Sequence, residues 1–257
     1  MTDSFVELQP AFVLQSRKYR ETSLLLDFLT FEYGRISVLA KGVRTAKSRT
    51  VALLQPFKAL LVSYSGKSEL KTLTHVELNA EAFNLDGWGV YCGFYINELV
   101  SRFLHKYDPH PEVYAEYSDC LTALASAINT TSKELIETAG RVPAASPGSM
   151  ALEAALRVFE VNLMQHVGFA LPIEYDFNNQ QPINTSARYQ VQIDRGITEH
   201  PQGLVSGKTL LALTSRKFTD FQSLSEAKQL MRTVINFHLR GKPLKTREVL
   251  SKIQQQL

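Results

Sequence analysis

The chain has 257 residues, 44% of them hydrophobic, with 28 Lys+Arg against 25 Asp+Glu. That is enough to bury a core in one large or two modest domains, and no apolar run approaches the roughly 18 to 20 residues of a membrane span. Two cysteines, Cys92 and Cys120, are too few for a disulfide framework or a four-thiolate zinc site, and the six histidines form no HExxH or i, i+4 pair.

The first eighty residues read as short strands separated by turn residues. AFVLQSR (11–17), TSLLLDFLT (22–30), GRISVLAKG (34–42), PFKALLVSY (56–64) and ELKTLTHVEL (69–78) are rich in Leu, β-branched or aromatic residues, with Gly34, Gly42, Pro56 and Gly66 between them. Five strands in this length fit a small closed barrel of the oligonucleotide-binding (OB) type better than a sandwich, which needs seven or more. Beyond residue 80 the apolar period changes from two to about 3.6. Helices are predicted over 87–107, 112–129, 150–167 and 221–239. GRVPAASPGS (140–149) reads as a flexible loop, and a polar stretch at 172–205 as an insertion whose alternating ARYQVQI (187–193) is a minor strand or hairpin. The expected fold class is α+β: an OB-type barrel at 1–80, then a mainly α-helical domain at 81–257.

The small net charge of +3 conceals segregation by region. Residues 1–80 carry 11 cations against 7 carboxylates, 81–180 carry 5 against 13, and 181–257 carry 12 against 5. Such separation predicts surfaces for different partners, with a polyanion for the basic ones. From Tyr33 to Ser68 stand seven cations and no carboxylate: Arg35, Lys41, Arg44, Lys47, Arg49, Lys58 and Lys67. Tyr33, Phe57 and Tyr64 lie among them, so a basic loop beside rings able to stack on bases is predicted. About five phosphate contacts would give log K a slope of roughly −3.5 to −4.5 against log salt. The competing interpretation is a solvated loop whose charge serves solubility alone. A second basic set, Lys228, Arg232, Arg240, Lys242, Lys245 and Arg247, spans a helix end, a Gly and Pro break and a new helix start.

Catalytic patterns are missing. GLVSGKTL (203–210) contains Gly-Lys-Thr, but only three residues separate its glycines where a phosphate-binding loop needs four, so a helix start capped by Ser206 explains it better. No nucleophile elbow or dinucleotide fingerprint is present. No cofactor or metal is expected, and the expected role is not enzymatic. MTDSFVELQP has neither a basic nor an apolar leader region, so a cytoplasmic location is expected.

Four stretches carry a resemblance: SRKYRETSLLLDFLTFEYGRISVLAKGVR, LLQPFKALLVSYSGKSELKTL, YINELVSRFL and LRGKPLKTREVL. In this order they resemble the bacterial RecO family of DNA recombination and repair proteins. The resemblance implies a recombination mediator that binds single- and double-stranded DNA without sequence specificity. Such a protein anneals complementary strands, including those coated by single-stranded DNA-binding protein (SSB), and with RecR promotes loading of RecA. It implies phosphate contacts by Arg17, Arg20, Lys41, Arg44, Lys47 and Arg49, with Arg35 in the same cationic stretch, and by Lys242, Lys245 and Arg247 of the C-terminal motif. It also implies a receptor for the acidic, apolar C-terminal tail of SSB. For this the helix ALRVFEVNLMQHVGF offers Arg157 beside Leu156 and Phe159, facing Lys228 and Arg232, the alternative being that Arg157 pairs with Glu153 or Glu160 on its own helix. Some relatives carry a four-cysteine zinc site corresponding to residues 174–200, where this chain has no cysteine. The alternative function is an RNA-binding OB-fold accessory protein with no recombination role.

Overall fold

A computed structural model describes residues 5–45, 48–80, 82–137 and 146–254. Two compact units are present, Met1–Leu121 and Thr122–Leu257. In the first, strands β1 (Phe5–Tyr19), β2 (Ser23–Thr30), β3 (Gly34–Ala40), β4 (Leu60–Ser65) and β5 (Leu70–Leu78) close a barrel in the order β1-β2-β3-β5-β4. β3 and β5 run parallel and the other pairs antiparallel, which is the OB-type barrel. A mainly helical region follows it, and the predicted fold class is the one found.

Alternation explains the barrel. Leu26 and Phe28 on β2, Ile36 and Val38 on β3, and Leu60 and Val62 on β4 point into one core, each at most 1% exposed. A buried side chain of this size contributes roughly 1.5–3 kcal/mol. β1 runs well beyond the predicted 11–17, because bulges between Val6 and Gln9 and between Val13 and Gln15 interrupt its alternation. The predicted strand at 56–64 begins only at Leu60. Phe57 has φ +66°, and the short helix α1 (Thr50–Leu53) precedes it.

Helix α2 (Gly87–Phe103) covers β1. The second bulge of β1 leaves carbonyls without ladder partners, and Asn97, buried on α2, donates to Leu14 O at 3.0 Å and Val13 O at 3.4 Å. Tyr117 of α3 (Pro111–Glu137) in turn donates to Asn97 Oδ1 at 2.5 Å, while its ring packs 4.9 Å from Phe12. Burial pushes the Tyr117 hydroxyl well above its ordinary pKa, so it stays a donor. Gly34, at φ +65°, meets the Asp108 backbone so closely that no Cβ fits.

In the second unit α4 (Pro147–His166) packs on α6 (Phe221–His238), with α5 (Gly207–Ser215) beside them. Leu156, Phe159 and Leu163 on α4 and Leu224, Ala227, Met231 and Val234 on α6 supply the buried stripes. Ser146 caps α4 by accepting from Ser149 N at 3.2 Å, with Pro147 in the first turn, so the helix begins inside the predicted 140–149 loop. Residues 140–145 of that loop lie outside the described residues. Ser206 caps α5 as predicted, accepting from Thr209 N at 3.2 Å. The polar insertion contains a three-stranded sheet, β7 (Gly196–Glu199), β6 (Arg188–Gln192) and β8 (Val205–Ser206), in that order. α7 (Lys245–Gln254) ends the described chain.

Among the described residues no group of three His, Cys, Asp or Glu is placed to hold a metal ion. Cys92 and Cys120 are not joined in a disulfide. In the insertion, order comes from Asp176, a buried carboxylate that accepts from the backbone N–H groups of Asn178 at 2.8 Å, Asn179 at 3.1 Å and Glu199. No described helix is long and apolar enough to cross a membrane.

Candidate nucleic-acid interface

Strand register gathers the first cationic set. Arg17 lies opposite Leu25 and Tyr19 opposite Ser23 in the β1–β2 hairpin, while Leu25 pairs with Leu39 and Leu24 with Ala40. The hairpin tip and the end of β3 therefore share one rim of the barrel. Arg44 fastens them together: its backbone N–H donates to Thr22 O at 2.8 Å and its Nη1 to Arg20 O at 3.1 Å. Arg17, Arg20 and Lys41 are exposed there, and the Arg20 guanidinium lies 5.4 Å from the Tyr19 ring. Arg20 itself turns the hairpin at φ +50°.

Arg49 is exposed at the cap of α1, farther along the same loop. Lys47 lies outside the described residues. Lys18 is also exposed on the rim, a cation that sequence reasoning passed over. The signal was available, since residues 15–20 form a polar run at the end of a strand; all six are exposed. Glu21 is the one carboxylate in the hairpin turn between Tyr19 and Ser23.

Two expectations about this stretch are corrected. Arg35 is turned inward, its Nη1 donating to Leu104 O at 2.8 Å and to Ser101 O at the end of α2. Burial lowers its pKa and the Asp27 charge opposes that, an arrangement suited to capping a helix rather than meeting a phosphate. The rings expected to stack on bases are likewise occupied. Tyr64 is in the barrel core, Tyr33 packs edge-on against it at 6.1 Å, and Phe57 is buried with its ring 5.2 Å from Phe94.

The C-terminal cations meet around the α6–α7 junction. Arg232, Lys242 and Arg247 line a cleft of about 290 Å³ with Pro243 and Leu244, and Arg247 Nη1 donates to Asn236 Oδ1 at 2.8 Å. Lys245 is exposed at the first position of α7.

The helix expected to receive an acidic tail has different surroundings. Leu156 and Phe159 are core residues, and Arg157 is only 3% exposed. Its guanidinium is held by Glu160, at 2.7 Å from Nε and 2.6 Å from Nη2, and by Glu153 at 3.2 Å from Nη1. Lys228 pairs with Glu153 at 2.5 Å, and Arg232 belongs to the C-terminal cleft. Arg157, Leu156 and Phe159 thus form part of the packing between α4 and α6, with the cation neutralised in place. A larger groove of about 720 Å³ opens elsewhere in the unit, lined by Met164, Phe169, Pro172, Tyr175, Phe177 and Met231, with Arg195 and Arg216 at its wall.

The Gly-Lys-Thr segment binds an anion supplied by the chain itself. Glu226 Oε2 accepts from Ser206 N at 2.8 Å, Ser206 Oγ at 2.7 Å and Thr209 Oγ1 at 2.7 Å, at the start of α5. Burial alone would raise the Glu226 pKa, but these donors outweigh it and the carboxyl is held below its ordinary value. Lys208 pairs with Asp220 at 3.0 Å. The helix N-terminus that a nucleotide phosphate would need is therefore filled.

Comparison with known proteins agrees with the barrel. Residues 5–81 match the family described as Recombination protein O N terminal, and residues 85–135 match Recombination protein O C terminal. The chain belongs to the RecO family. Its relatives include the DNA repair protein RecO of Methylococcus capsulatus, 39% identical over 250 residues that cover 96% of this chain and 93% of the relative. That of Coxiella burnetii is 40% identical over 249 residues, covering 95% and 98%. That of Nitrosococcus oceani is 37% identical over 255 residues, covering 97% and 95%.

Proposed function

We propose that this protein is a recombination mediator in DNA repair that binds single- and double-stranded DNA without reading sequence and anneals complementary strands, SSB-coated ones included. With RecR it promotes RecA loading. The observation that carries this reading is the rim at which Arg17, Lys18, Arg20, Lys41 and Arg44 converge on an OB-type barrel. Two complementary strands repel through their phosphates, and a protein that neutralises both backbones while leaving base edges free lowers the cost of their encounter. Nothing in this step makes or breaks a covalent bond, so no catalytic group or cofactor is required.

The barrel, residues 1–80, carries the nucleic-acid contacts in this reading, Arg49 and Lys47 prolong them along the loop, and Lys242, Lys245 and Arg247 supply a second phosphate surface. The acidic tail of SSB is received by the aromatic groove at Phe169, Tyr175 and Phe177, where the exposed Arg195 answers its charge. The protein then works in the cytoplasm, at the nucleoid during repair.

The deciding experiment measures annealing of complementary strands already covered by the cognate SSB. Acceleration by the purified protein is expected. A protein that leaves the rate unchanged, or that prefers structured RNA to DNA, is not this mediator.

A further inference from the structure

The cationic stretch offers no ring to a base, since Tyr33, Phe57 and Tyr64 are packed into the barrel or against it. Apart from Tyr19 on the rim, an exposed aromatic strip lies on α2. Trp88 is 47% and Phe94 41% exposed, and Tyr91 lies between them at helical i, i+3 spacing. The Trp88 and Tyr91 ring centroids are 5.9 Å apart, and Phe94 is braced edge-on by the buried Phe57 at 5.2 Å. Gly93 permits this close approach, because a Cβ there would overlap the Phe57 ring. The three rings are held by their helix and by a buried support, so little freedom is lost when something stacks on them.

The strip is connected to the cationic loop by a short run of contacts. Arg49 opens α1, Ala52 of α1 accepts from Lys58 Nζ at 2.5 Å, and the neighbouring Phe57 supports Phe94. The first turn of α2 contains no carboxylate, and the one acidic group at that end of the helix is its N-cap, Asp86. We infer that Trp88, Tyr91 and Phe94 form a stacking platform for unpaired bases of a single strand whose phosphates are held by the cationic loop. The inference rests on the DNA-binding reading above and adds to it a means of preferring single strands, because bases inside a duplex present no free face.

Trp88 is the sole tryptophan, so emission excited selectively from tryptophan, beyond the absorption of the tyrosines, reports on this platform alone. The chain is titrated with oligo-dT and with an abasic deoxyribose-phosphate oligomer of equal length. Oligo-dT is expected to quench Trp88, whereas the abasic strand binds without quenching. Trp88→Ala is expected to weaken oligo-dT binding by about tenfold while leaving abasic binding and the salt slope unchanged. Trp88→Phe, which keeps a ring, is expected to retain most of the affinity. Oligo-dT binding with no quenching, or with unchanged affinity in Trp88→Ala, overturns the platform and leaves DNA binding by the rim intact. A variant whose sedimentation changes while its oligo-dT affinity does not assigns the strip to contact between copies of the chain, which also overturns it. Failure of the unsubstituted protein to bind either strand removes the DNA-binding reading itself.

Discussion

Arg44 on the barrel rim and Arg157 on α4 are the same residue type, the first expected to meet a phosphate and the second an acidic peptide tail, and their fates differ. Arg44 bonds the carbonyl of Arg20 and keeps its charge at the surface of a carboxylate-free loop. Arg157 is enclosed, with Glu160 and Glu153 on its own helix taking up its guanidinium. The contrast teaches that a cation is available to a polyanion only where the fold brings it no internal carboxylate, so counting positive charge along a chain overstates the binding surface.

The largest effect that could break this contrast is at Glu160. Glu160→Ala removes the bidentate partner of a buried cation, and a loss of about 3–5 kcal/mol in urea unfolding is expected. A much smaller loss would mean that Arg157 reaches water and is closer to the rim cations than its burial implies. Next comes the triple variant Arg44→Ala, Lys47→Ala, Arg49→Ala. DNA affinity should fall with a salt slope shallower by about one unit per lost contact, at nearly unchanged melting temperature. Fluorescence anisotropy at several salt concentrations checks it, and an unaltered slope would remove the loop from DNA binding.

A smaller effect concerns pH. Burial alone would raise the Asp176 pKa, but the N–H donors of Glu199, Asn179 and Asn178 outweigh it, leaving it below its ordinary 3.8. A carboxyl depressed in the folded state adds stability above its unfolded pKa and loses it as pH falls through the folded value. The melting temperature should therefore drop below about pH 4 in the parent, with a weaker acid dependence in Asp176→Asn. Smallest of all is Lys228→Ala, an exposed partner of Glu153. It should change stability by no more than about 1 kcal/mol, leaving DNA binding untouched, as calorimetry and anisotropy would show.

The barrel was legible because alternating Leu, Val and Ile side chains over short runs leave few alternatives. The helical stripes were legible for the same kind of reason, from period rather than from any single residue. The partners of Arg157 were legible on its own helix, since Glu153 and Glu160 stand at i−4 and i+3. Those of Arg35 were not, because its acceptors lie 66 and 69 residues away in sequence. Phe57 was illegible for a different reason. A left-handed turn at a non-glycine residue breaks the strand pattern and hides the ring behind α2. Nor did spacing reveal that Glu226 fills the start of α5, a contact spanning 17 to 20 residues.

β4 accompanies β1 only as far as Ala11, whereas β2 follows it to Tyr19. The charged end of β1 is thus a cantilever beyond the closed wall, and its side chains carry little of the weight of the hydrophobic interior. Selection, or an engineer, is free to alter the charge there one residue at a time, with the foundation of the fold left undisturbed.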